Sequence, residues 1–173
     1  MNVFRITLLL LAMLLIAGKA QADEPPIEYE VKAAFIYNFA KFVEWPAESS
    51  EVTLCILGKN PFGTAINEIN GKYFGNRKFQ VMPVSSLAPQ CNIVFISASE
   101  QGNLVRILDS IQKQSILTVG DTPEFAHKGV MINFYLDGNG RIRFEINPGP
   151  ANHAGLKISS KLIQLGKMVY TSK

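Results

Sequence analysis

The sequence predicts an α/β fold: a three-layer sandwich with a mostly parallel, about six-stranded sheet and a C-terminal antiparallel hairpin plus helix. Three observations predict it. Val52 to Leu57 and Cys91 to Ser97 are almost wholly apolar runs, the pattern of strands buried on both faces. Segments with helical spacing alternate with these runs, as the crossovers of a parallel sheet require. Val130 to Tyr135 and Arg141 to Ile146 alternate instead and flank Asp137-Gly138-Asn139-Gly140, which reads as an antiparallel hairpin.

Residues 1–22 come first. Arg5, an apolar run from Ile6 to Ile16 and the small-residue site Ala20-Gln21-Ala22 describe a cleaved secretory signal peptide, so the mature chain is expected to begin at Asp23. The run is short for a bilayer span. Residues 23–173 then form a single domain of usual size. The leader carries Arg5, Lys19 and no acid, so its removal lowers the net charge from +3 to about +1. No basic stripe survives it, and nucleic acid is excluded as a partner on that ground.

The first helix is expected from about Ile27 to Val43, ended by Trp45-Pro46. Val31, Phe35, Phe39 and Phe42 share one side and are assigned to the sheet. Ile36, Tyr37, Ala40 and Val43 are left over. An apolar face without cover is a contact surface, so Ile36 and Tyr37 become candidate partner residues.

After the Val52 strand, Gly58 to Pro61 turns the chain, and Asn60 and Pro61 are expected to start a helix through Phe62, Ile66 and Ile69. Lys78 to Met82 is the second strand. Beyond the Cys91 strand, Ser97 and Glu100 read as a capping box for a helix buried through Leu104, Ile107, Leu108 and Ile111. Ser115 to Val119 is the fourth strand, and the expected order is 2-1-3-4. Asn147-Pro148-Gly149-Pro150 breaks the chain before a last helix, from about Ala151 or Leu156 to Val169, that turns Lys157, Lys161 and Gln164 outward.

Chemistry is sparse. Gly58 to Thr64 has the glycine spacing of a phosphate loop without the Lys after its second Gly, and Pro61 removes a backbone donor. His127 and His153 have no metal-binding spacing, and no G-x-S-x-G nucleophile elbow occurs. Asp121 and Glu124 look like another capping box. No cofactor or metal is expected. Arg143 and Glu145 stand two apart on one strand face, either a solvated ion pair or a contact site for another protein.

Cys55 and Cys91 are the only cysteines, and an even count in an oxidising compartment reads as a disulfide. Strand order 2-1-3-4 makes their strands neighbours, as a bridge needs. A redox-active pair would want CxxC spacing, which is missing.

The stretches VKAAFIYNFAKFVEWP, LCILGKNPFG, CNIVFIS, LTVGDTPEFAHKGVMINF and RIRFEIN followed by AGLKISSKLIQL together resemble the YfiR family of small periplasmic proteins. The resemblance implies a non-enzymatic repressor. Such proteins bind the periplasmic domain of an inner-membrane diguanylate cyclase and hold it inactive, and an outer-membrane lipoprotein draws them away. The implied consequence is lower cyclic di-GMP and less biofilm. Cys55 and Cys91 match the family's disulfide pair, and this chain lacks the second pair of some relatives.

The leading expectation is therefore a periplasmic inhibitor that acts by protein binding through some of Ile36, Tyr37, Arg143, Glu145 and Lys157, with a homodimer as a further association. The alternative is a periplasmic small-molecule sensor using the crevice near Gly58 to Gly63 and Ser97 to Ser99. A thiol oxidoreductase comes third.

Overall fold

A computed structural model describes residues 27–47 and 49–171. The expected leader, residues 1–22, lies outside the described residues.

Helix α1 spans Ile27–Phe42 and runs directly into β1, Val43–Glu44. Strand β2, Glu51–Leu57, is buried along all but its first residue. Next come β3, Tyr73–Phe74, β4, Arg77–Val84, and β5, Ile93–Ile96. Helix α2 spans Leu104–Ile111, followed by β6, Leu117–Gly120, β7, Ile132–Leu136, and β8, Ile142–Ile146. The chain ends with α3, Pro148–His153, β9, Lys157–Ile158, α4, Ser160–Leu165, and β10, Lys167–Met168.

The central sheet runs β10-β8-β7-β6-β5-β2-β4-β3. Its middle, β4-β2-β5-β6, is the expected 2-1-3-4 order and is parallel throughout. The sheet has eight strands rather than six, because two-residue strands β3 and β10 extend its edges. Strands so short carry no periodicity to read. A separate antiparallel ribbon joins β1 to β9.

Alternation along each strand builds two cores. Val52, Leu54 and Ile56 of β2, Ile93 and Phe95 of β5, and Phe134 and Phe144 of the hairpin join α1 in the larger one. Cys55 and Leu57, with Val94 and Ile96, face the other way and pack with Leu104, Ile107 and Ile111 of α2. Helices thus cover both faces.

The inward stripe of α1 is Lys32, Ala33, Ile36, Phe39 and Ala40. The expected division of its faces is corrected: Val31 is exposed, while Ile36 has no exposed area and belongs to the core. The small Ala33 and Ala40 let the helix axis approach the sheet, and the bulkier rings splay to its flanks. Phe35 and Phe39 meet Phe144 with ring centroids 5.7 and 5.0 Å apart, and Tyr37 meets Phe79 at 5.4 Å. Edge-on aromatic pairs of this kind add about 1 kcal/mol each beyond burial.

Lys32 is the unexpected member of the stripe. Its Nζ donates to Asp121 Oδ2 at 2.8 Å and pairs with Glu28, and the Tyr29 hydroxyl donates to the same Asp121 oxygen at 2.9 Å. Asp121 follows β6, so this cluster fastens the start of α1 to the carboxyl end of the sheet. Burial first, and then the Asp121 carboxylate, pushes the Tyr29 phenol well above its usual range. The capping box expected at Asp121 and Glu124 is absent: the segment is a run of turns with Glu124 at φ 69°.

Three other helix expectations are corrected. After Asn60 the chain forms one 3₁₀ turn, Ala65–Glu68, although the Asn60 side chain does accept from the Phe62 N–H at 2.9 Å. Ser97 does not cap the helix that follows; its hydroxyl donates to the Lys59 carbonyl at 2.7 Å, and a 3₁₀ stretch, Ala98–Asn103, precedes α2. The single last helix is broken into α3, β9 and α4. Gly155 at φ +72° provides the break, and the Ser159 hydroxyl accepts from the Leu162 N–H to start α4.

The buried positions give two expected outcomes. Ile36→Glu places a carboxylate in the core and is expected to cost more than about 4 kcal/mol, against about 1 kcal/mol for Ile36→Val. Chemical denaturation followed by circular dichroism measures both, and a folded, equally stable Ile36→Glu chain would contradict the burial. Lys32→Met strands Asp121 and is expected to cost about 3–5 kcal/mol. The pair Lys32→Met with Asp121→Leu is expected to recover most of that loss by the same measurement.

Candidate partner-binding surface

The candidate residues fall into three places. Tyr37 is half-buried; its hydroxyl donates to the Tyr73 carbonyl at 2.8 Å, holding β3 beneath α1. Lys157 is exposed on the β1–β9 ribbon, opposite Glu44. Arg143 and Glu145 lie on β8, six strand spacings from β3 at about 4.8 Å each. These residues do not form one site. Ile36, wholly enclosed, offers nothing to a partner.

What the fold does assemble is a polar patch around β8. On the face opposite α1, the residues change steadily across the sheet: Cys55 and Leu57 on β2, Val94 and Ile96 on β5, Thr118 and Gly120 on β6, Asn133 and Tyr135 on β7, Arg143 and Glu145 on β8. Helix α2 packs on the apolar half. The turn at residues 121–130 then covers Asn133, whose side-chain N–H donates to the Thr122 carbonyl at 3.0 Å. Beyond it, Arg143 is exposed, Tyr135 is partly exposed, and the Glu145 side chain is largely covered, 12% exposed.

Fixed charge organises that patch. Glu145 accepts from Lys167 of β10 at 3.1 Å, and Lys167 also lies over the Tyr135 ring at 5.9 Å. The Glu145 hydrogen bond, with its charge, raises the Lys167 pKa. Arg143 turns away from Glu145 to Asp137 Oδ2, at 3.3 Å, where Arg141 also donates at 3.0 Å. The backbone N–H of Arg141, reinforced by that of Asn139 and by both guanidinium groups, holds the Asp137 carboxyl down to about 2. The hairpin end is thereby set in shape. Arg143 and Glu145, expected as an ion pair or a contact site, each use a partner from elsewhere; the sequence marks Asp137 only as a turn residue and gives no signal for Lys167, whose partner lies 22 residues away.

At the crevice considered for a small molecule, two loops are joined by hydrogen bonds. The Lys59 N–H donates to Ser99 Oγ at 2.9 Å, and Ser97 Oγ donates back to the Lys59 carbonyl. A Cβ built at Gly58, φ +89°, would come within 2.4 Å of Ser99 Oγ, so only glycine admits this contact. Nearby, the thiols are joined: Cys55 and Cys91 form a disulfide with a Cα–Cα distance of 5.7 Å, buried under α2. In the chain-entropy picture a loop of 36 residues is worth about 4 kcal/mol. Among the described residues, no group of three or more His, Cys, Asp and Glu side chains is placed to hold a metal ion.

Asn147, at the end of the FEIN stretch, has a structural task. Its side chain donates to the Ala126 carbonyl at 2.8 Å and to Thr171 Oγ1 at 2.9 Å, and accepts from the Gly149 N–H to start α3. The proline-rich break after FEIN is therefore a capped helix start with Pro148 at its first position.

Comparison with known proteins returned one family, described as YfiR/HmsC-like, which matches residues 29–167. No curated protein matches the chain. The matched span runs from the first turn of α1 to the first residue of β10, taking in the Lys32–Asp121 anchor, the disulfide and the polar patch on β8. The chain belongs to the YfiR/HmsC-like family.

Proposed function

We propose that this protein is a periplasmic regulator that inhibits a membrane-bound diguanylate cyclase by binding the cyclase's periplasmic domain, lowering cyclic di-GMP and biofilm formation. The observation that carries the reading is the family match over residues 29–167, which supports a periplasmic regulator of diguanylate cyclase signalling at the level of the family. The signal peptide expected at residues 1–22 agrees with an exported protein, and an outer-membrane lipoprotein is the proposed releasing partner.

The contact surface we assign is the polar patch of Tyr135, Arg143, Glu145 and Lys167, with Tyr37 and Lys157 outside it. Two features support it. The patch is the part of the second sheet face that α2 leaves open, and its charges are held in place before any partner arrives. Ordered side chains lose less entropy on binding than free ones. Repression then requires only that the patch bind one conformation of the cyclase more tightly than the other.

Deletion of the gene in its own organism, with cyclic di-GMP and surface attachment measured, is expected to raise both; unchanged levels would overturn the reading. For the surface, Arg143→Glu combined with Lys167→Glu is expected to weaken capture of the cyclase from solubilised membranes by about tenfold or more. Each reversal sets a carboxylate beside Asp137 or Glu145, so the unfolding midpoint is expected to fall modestly, and circular dichroism checks that the variant stays folded. Undiminished capture would place the contact elsewhere.

A further inference from the structure

At the amino ends of β6 and β7, a cavity of about 530 Å³ opens between the last turn of α2 and helix α3. It lies at the opposite end of the strands from the Gly58 to Gly63 crevice and uses none of the residues of the polar patch. Its volume is in the range of small-molecule sites, about 300–1,000 Å³.

The lining has two parts. Leu108, Ile111 and Met131 supply an apolar wall, and Ile111 and Met131 are themselves almost wholly buried. Lys113, Lys128 and His153 supply nitrogen donors, against one carboxylate, Asp109. Among the described residues, neither lysine forms a salt bridge, although Asp109 stands one helical turn from Lys113. Two exposed lysines thus line one concavity, and neither is paired with an acid among the described residues. The fixed framework is good: the Thr118 hydroxyl accepts from the Met131 N–H at 2.9 Å, and Thr171 is tied down by Asn147. Gly129, φ +109°, keeps the turn close to α2, where a Cβ would meet Leu108 Cδ1 at 3.4 Å.

We propose that this cavity binds a small organic carboxylate with an apolar body. The apolar wall takes the body, and Lys113 and Lys128 take the carboxylate by charge-assisted hydrogen bonds, which are about twice as strong as neutral ones. An inorganic anion would leave the wall unused, and a neutral apolar molecule would leave the ammonium groups unanswered.

The probe for the test is 4-phenylbutyrate, compared with 4-phenylbutanamide and 4-phenylbutylamine, added to the mature chain and followed by amide chemical-shift mapping. The carboxylate is expected to bind saturably with shifts centred on residues 108–113 and 128–131, and the amide and amine about tenfold more weakly or not at all. Lys113→Glu with Lys128→Glu is expected to abolish the preference for the carboxylate. A control of equal charge change, Lys59→Glu with Lys161→Glu, lies outside the cavity and should keep it. No saturable binding of 4-phenylbutyrate, equal binding of all three probes, or shifts elsewhere would overturn the proposal. The three-probe comparison on the unaltered chain decides it even if the charge-reversed variants fail to fold.

Discussion

One constraint shapes the rest of the molecule: α1 has to be enclosed by a single sheet, and it achieves this by crossing most of that sheet. Its rings meet Phe134 and Phe144 of β7 and β8 on one flank and Phe74 and Phe79 of β3 and β4 on the other. The short β3 and the C-terminal elements then complete its cover, with the Ser159 N–H donating to the last carbonyl of the helix, that of Phe42. The other sheet face is covered by the eight-residue α2 and the turn at residues 121–130, and its far part on β8 is polar. The surface assigned to a partner is thus what remains once the first helix has taken its share of the sheet.

The two ends of the parallel strands are finished differently. At the carboxyl ends, Ser97, Ser99 and the Gly58 loop tie together, and Lys32 with Tyr29 ties α1 to Asp121. A buried ion pair is rarely a large source of net stability, but it is costly to break one half of it. It therefore fixes where the helix starts. At the amino ends the Ser115 hydroxyl donates to the Ala154 carbonyl at the end of α3, at 2.9 Å, and beside this tie a cavity remains whose two lysines form no salt bridge among the described residues. In a fold of this class, binding is usual at the carboxyl ends; here two hydrogen bonds join the loops at that end.

Much of this was legible in the sequence, and the failures share a cause. Long apolar runs gave β2, β5 and their parallel neighbours, and Asp137 to Gly140 gave the hairpin, because burial and turn chemistry are local signals. The disulfide followed from cysteine count and strand adjacency. The face of α1 was misread because Phe and Val outweigh Ala in any apolar count, while the sheet selects by fit: Ala33 and Ala40 approach closely and Val31 does not. Lys32 could not be placed inside without knowing that Asp121, 89 residues away, would meet it. The same holds for Arg143 and Glu145, whose partners come from the hairpin turn and from β10. Capping boxes at Ser97 and Asp121 matched in pattern, but tertiary partners claimed both side chains.

The central claim is that binding by this chain restrains a cyclase across the membrane, and it is tested most directly on the enzyme itself. Purified mature chain would be titrated against the organism's membrane-bound diguanylate cyclase in nanodiscs, with cyclic di-GMP synthesis from GTP measured. The rate is predicted to fall saturably as the chain binds the cyclase's periplasmic domain, and to be unaffected for a cyclase lacking that domain. Synthesis that continues unchanged while the cyclase is saturated with the chain would contradict the account.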